Sequence, residues 1–260
     1  MTEPGATVQA PREATPTVDA ALHLGLGFTG VAATAGLLIS TLGFSWRLPT
    51  LALALYAPIA AIALVQVRRH HPHKSFGLAN LVTTVRAALT CLLAGLLADG
   101  GHVSVAPQAA FAWGLAGLAA VAIALDGLDG FLARRLGLCS AFGARYDMEI
   151  DALLILLLSL AAYSLHKAGA WVILGGGFRY GFLAATWLWP ALAGGLPPSS
   201  RRKLVCLIQM GVLCLVLTPI AQPPASAWLA AGALALLVYS FLVDVVWLLT
   251  GRGRSPTASR

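Results

Sequence analysis

Apolar residues come in long unbroken runs along this chain, parted by short polar breaks. The runs fall at about 21–44, 48–67, 78–97, 107 into the stretch at Asp126, 143–165, 170–192, 204–220 and 227–249. Each is near the ~20 apolar residues that carry a helix across a bilayer, so the pattern predicts an all-α integral membrane protein of eight spans. The breaks carry turn and anchor residues. Trp46 and Arg47 suit a membrane interface. Asp99-Gly-Gly-His102 and Gln222-Pro-Pro224 read as turns, and Pro107 suits a helix start. Residues 1–20 hold Glu3, Glu13 and Asp19 among Pro and Thr, with no basic leader, and read as a retained disordered tail. Residues 251–260 read as a second tail, and no internal repeat is visible.

Composition agrees. The chain is 58% hydrophobic and 10% charged, far from the usual quarter charged of soluble domains. The net charge of +7 is no nucleic-acid footprint, because the basic residues sit at helix ends without an aromatic-rich basic patch. With eight spans both termini share one side. Thirteen of the 17 Lys and Arg fall there: Arg12, Arg68, Arg69, Lys74, Arg134, Arg135, Arg145, Arg201, Arg202, Lys203, Arg252, Arg254 and Arg260. Only Arg47 and Lys167 fall on the other side, while Arg86 and Arg179 lie within spans. The positive-inside bias therefore predicts cytoplasmic termini. His70, His71 and His73 straddle Pro72 among basic residues, which reads as a topology signal more than as a metal site. Cys91, Cys139, Cys206 and Cys214 are dispersed and suggest neither zinc nor a disulfide framework.

The chemistry is concentrated. Five of the ten acidic residues lie in the 26 positions from Asp126 to Asp151, flanked by apolar sequence on both sides. Carboxylates beside a bilayer interior need a compensating partner. Asp126 and Asp129 are three apart, Asp147 and Asp151 four apart, so each pair shares a helical face. An oxygen-only donor set without His or Cys suits hard divalent ions, Mg2+ or Mn2+. Gly130 and Gly143 permit close backbone approach, and Arg134 offers a fork of donors for phosphate. Together these features suit a diphosphate.

The stretch resembles the signature of the CDP-alcohol phosphatidyltransferases, Asp-x2-Asp-Gly-x2-Ala-Arg-x8-Gly-x3-Asp-x3-Asp. Every fixed position is present: Asp126, Asp129, Gly130, Ala133, Arg134, Gly143, Asp147 and Asp151. Asn80, Thr83 and Arg86 resemble the opening of that family's first core helix. The resemblance implies a six-helix core over 75–250, with residues 21–74 an additional two-helix extension and basic loop. It implies two divalent ions held by Asp126, Asp129, Asp147 and Asp151, with Asp151 also the general base. It implies a nucleotide site of Asn80, Thr83, Arg86, Gly130, Ala133, Arg134 and Gly143. The implied substrate is CDP-diacylglycerol, and the implied reaction passes its phosphatidyl group to an alcohol and releases CMP. A homodimer follows by the same resemblance, and the positive-inside count puts the active site on the cytoplasmic side of the cell (inner) membrane.

The acceptor is left open. Arg145, Arg179, Arg201, Arg202 and Lys203 could form an anionic pocket suited to glycerol 3-phosphate or inositol phosphate, as in phosphatidylglycerophosphate and phosphatidylinositol-phosphate synthases. Positive-inside bias also accounts for several of them. Many glycerophosphate-using members of the family read Asp-Pro-x-Ala-Asp-Lys at the second aspartate pair, whereas this chain has Asp147-Met-Glu149-Ile-Asp151-Ala, with Glu149 placed to pair with Arg145 one turn earlier. A different acceptor, or a CDP-linked polar alcohol with a lipid acceptor, stays open. A divalent-cation transporter and a catalytically silent relative are the competing classes. The first leaves Gly130, Ala133 and Arg134 unexplained, and the intact aspartates argue against the second.

Overall fold

A computed structural model describes residues 16–70, 76–100, 108–135, 140–189 and 199–250, with 69, 70 and 129–134 described in backbone only. The histidine loop after residue 70, Pro107, Cys139, the loop before Ser199 and both outer tails lie outside the described residues.

The described residues form eight α-helices and no strand: α1 (Pro16–Leu42), α2 (Arg47–His70), α3 (Leu78–Asp99), α4 (Gln108–Arg135), α5 (Ala141–Ser164), α6 (Ile173–Leu188), α7 (Ser200–Leu217) and α8 (Ala225–Leu249). A single 3-10 turn, Ala170–Val172, leads into α6. Five of them, α1, α2, α3, α4 and α8, are long and apolar enough to cross a membrane. The other three fall short for legible reasons. The first turns of α5 carry Arg145, Asp147, Glu149 and Asp151, and α7 opens on Arg201-Arg202-Lys203. The 16 residues of α6 rise only ~24 Å, less than the ~30 Å of hydrocarbon.

Helix α1 starts at Pro16, so residues 16–20 are helix where the sequence suggested tail. The reason is Asp19. Its carboxylate accepts the Phe76 backbone N–H at 2.8 Å and pairs with His23 at 3.2 Å, and an acid in the first turn also suits the helix dipole.

Two apolar clusters hold the bundle, and α3 contributes to both. One joins α1 and α2 to α3 and the start of α5 through Leu24, Leu48, Tyr56, Phe76, Leu92 and Ile150. The other joins α3, α4, α5, α7 and α8 through Leu93, Leu115, Leu158, Leu213 and Ala230. Helix α6 lies so close to α5 that a Cβ on Gly176 would run into the Leu156 backbone. Outward faces remain apolar, as with Leu22, Trp187 and Trp228, which suits contact with lipid.

Polar clamps close the end of the bundle remote from the acidic stretch. Fully buried Asp99 accepts the backbone N–H and the hydroxyl of Ser45, tying the α1–α2 turn to the end of α3. Lys167 donates to the carbonyls of Thr218 and Ala221 at 3.2 and 2.7 Å, while Ser226 donates to the Lys167 carbonyl at 2.6 Å. Asp126, Asp147 and Asp151 lie toward the opposite end.

Candidate active site

Asp126 projects from the last third of α4, and Asp147 and Asp151 from successive turns of α5. One oxygen from each carboxylate lies within 4.8 Å of the other two. The i, i+4 spacing read from the sequence is what sets Asp147 and Asp151 on one face. At that separation two bare carboxylates repel by roughly 3 kcal/mol at an effective dielectric constant of about 20. The cluster needs positive charge.

Arg86 supplies some of it. Its side chain is fully buried, and its guanidinium forms ion pairs with Asp147, with Asp151 and, at 3.0 Å, with Asp126. Its Nε–H donates to the Ala122 carbonyl of α4 at 3.2 Å. One side chain of α3 thus ties α4 to α5. A mid-span arginine should face a partner and not lipid, and here the partners are the aspartates themselves. The family resemblance assigns Arg86 to the nucleotide bed, and the same side chain is in contact with the carboxylates.

The neighbouring family positions pack tightly. Ser140 caps α5 by accepting the Gly143 N–H at 2.9 Å, a standard N-cap bond. Gly143 lets this first turn approach α3, because a Cβ there would sit 2.8 Å from the Asn80 side-chain oxygen. Asn80 is buried and donates to the Phe76 carbonyl at 2.6 Å. Thr83 and Thr84 donate to backbone carbonyls one turn back. Behind them Phe142 stacks on Tyr146, with centroids 5.7 Å apart, and meets Phe76 at a tilt, 6.2 Å away. The sequence reading did not single these rings out, although Phe142, Tyr146 and Ile150 recur at helical spacing. Asp129, Gly130, Ala133 and Arg134 lie on the last turns of α4, and their side chains are outside the described residues.

Three oxygen donors gathered this closely, without nitrogen or sulfur, fit a hard divalent cation. Residues 76–239, well over half of the chain, match the family model for CDP-alcohol phosphatidyltransferase. The chain belongs to that family. Its members are phosphotransferases for substituted phosphate groups, and so is this CDP-alcohol phosphatidyltransferase. Its class of reaction is phosphatidyl transfer in phospholipid synthesis, in a multi-pass membrane setting. Neither a curated protein nor a solved structure matches the chain. The family match begins at residue 76, after the end of α2 at His70.

The basic residues expected around the acceptor have separate placements. Arg201 donates to the Ser240 carbonyl at 2.7 Å and pairs with Asp244 at 2.5 Å, and Arg202 reaches Asp244 at 3.4 Å. Those two arginines fasten the start of α7 to the end of α8. Arg179 pairs with Glu149, so the partner of Glu149 is on α6 and not the expected Arg145. The reason is direction: Glu149 points toward α6, away from the Asp147–Asp151 face. Arg145 is exposed on the first turn of α5. Lys203 is exposed on α7, near enough to Asp126 for its charge to act on that carboxylate.

Proposed function

We propose that this transferase moves the phosphatidyl group of CDP-diacylglycerol to a small alcohol and releases CMP. The observation that supports this reading is the convergence of Asp126, Asp147 and Asp151 within 4.8 Å, inside the family-matched segment. The acceptor oxygen bonds to the lipid-bearing phosphorus as that phosphorus loses the bridging oxygen to CMP. Asp151 takes the hydroxyl proton on its carboxylate; a weak base serves when hydrogen-bonded to the attacking alcohol. Asp126, Asp129, Asp147 and Asp151 would hold Mg2+ or Mn2+. Such ions, when bound, neutralise the diphosphate and stabilise the leaving phosphate.

Gly130, Ala133 and Arg134 form the bed for the cytidine diphosphate, aided by Asn80, Thr83, Arg86 and Gly143 from α3 and α5. The acceptor enters beside Lys203 and Arg145, a setting that favours a phosphorylated alcohol such as glycerol 3-phosphate or inositol phosphate. Arg179, Arg201 and Arg202 flank it while holding α5 to α6 and α7 to α8. The protein crosses the membrane eight times with cytoplasmic termini and active site in the cell membrane, forms a homodimer, and joins a catalytic unit of 75–250 to a two-helix membrane extension and basic loop of 21–74.

The test is CMP release from CDP-diacylglycerol by detergent-purified protein with Mn2+ or Mg2+. Glycerol 3-phosphate, inositol 3-phosphate, inositol, serine and choline would be offered in turn. Release with a phosphorylated acceptor, abolished by chelator, is expected. Release with serine or choline alone would overturn the acceptor assignment. Retention of CDP-lipid binding without release to any acceptor would leave the donor and refute every acceptor offered.

A further inference from the structure

We infer that Arg86 is a resident counter-ion of the carboxylate site, holding Asp126, Asp147 and Asp151 together without a divalent cation and weakening their hold on one. The inference rests on the proposal that these carboxylates take up such a cation. Three features of the geometry carry it. First, the guanidinium touches all three carboxylates, from two different helices, and not a single partner. Second, it is fixed from behind: the Nε–H bond to the Ala122 carbonyl orients the fork toward Asp126, which lies one turn further along α4. Third, Arg86 is fully buried, and a guanidinium stays charged there.

The consequence is a trade. Like charges held this close separate unless something positive lies between them, and Arg86 performs that service permanently. A divalent ion arriving at the same oxygens meets a positive charge already in place, so it binds less tightly than three bare aspartates would allow. By linkage, a ligand that binds only the folded protein stabilises it more as its affinity rises. Removing the arginine charge should therefore make the protein's stability depend on the metal. Arg86 is a positioning residue in this account: it touches the aspartates and acts through them.

The experiment compares wild type, Arg86→Gln and Arg86→Lys in detergent, with EDTA or with Mn2+. Thermal unfolding and Mn2+ binding by electron paramagnetic resonance are the readouts. Wild type is expected to show a small rise in melting temperature on adding Mn2+, and Arg86→Gln a larger one, from a lower starting point. Mn2+ should bind Arg86→Gln at least about tenfold more tightly, the least that removing a unit charge beside a divalent ion gives even at the dielectric constant of water. Arg86→Lys, which keeps the charge and loses the fork, should fall between. Equal destabilisation of Arg86→Gln in both conditions, with unchanged or weaker Mn2+ binding, would overturn the inference and leave Arg86 a packing residue. If Arg86→Gln does not fold in either condition, Arg86→Lys decides: a Mn2+ shift no larger than that of wild type overturns the inference. Absence of Mn2+ binding in wild type and variants alike would instead refute the metal reading beneath it.

Discussion

Asp147, Glu149 and Asp151 alternate along one turn and a little more of α5, and their helical positions divide their tasks. The two aspartates turn inward to Arg86, while Glu149 turns to Arg179 on α6. The inward pair was legible, because i, i+4 spacing on a helix leaves no other arrangement. The partner of Glu149 was not. Arg145 and Arg179 are both chemically suitable, and only the crossing of α6 over α5 decides between them. Arg86 was legible as a charge in need of a partner inside an apolar helix, but its sequence position did not say which carboxylate would provide it. The Arg179–Glu149 pair is about a third to a half exposed, so its energetic weight should be small. A double-mutant cycle of Glu149→Gln and Arg179→Gln is expected to give a coupling of about 0.2–1 kcal/mol. A coupling several times larger would mark the pair as a principal fastening of α6.

At the scale of elements, hydropathy located each helix to within a few residues, because membrane-length apolar runs leave little freedom. It was less informative about α5, α6 and α7, which exchange apolar length for charge or brevity around the site. It was also silent on the clamps between helices. Asp99 read as part of a turn, yet it is buried and accepts two hydrogen bonds from Ser45, the second at 2.5 Å. Asp99→Ala leaves the Ser45 N–H and hydroxyl without that acceptor, which should cost about 1–3 kcal/mol. The expected result is a lower melting temperature with transfer activity per folded molecule retained, since the clamp lies at the far end of the bundle. Loss of activity in the folded variant would show that the α1–α2 turn communicates with the aspartates.

Across the whole molecule, the two added helices are not a loose appendage. They share an apolar cluster with α3 and with the start of α5, and Asp19 reaches over to the Phe76 N–H at the head of α3. Helix α3 therefore carries the extension on one side and Arg86 on the other. The architecture gathers the carboxylates where α3, α4, α5 and α7 meet, near the end of the bundle that, among the described residues, also holds Arg145, Arg201, Arg202 and Lys203. That convergence was half visible beforehand. The motif places carboxylates on two helices, but which third helix neutralises them follows only from the packing. The most direct measurement is CMP release from CDP-diacylglycerol by wild type and by Asp151→Asn, purified side by side and matched for melting temperature. Metal-dependent release by wild type and loss of at least about a hundredfold in Asp151→Asn are expected, the scale at which a general base contributes. Near-normal release by a folded Asp151→Asn would contradict the account and move the chemistry away from these carboxylates.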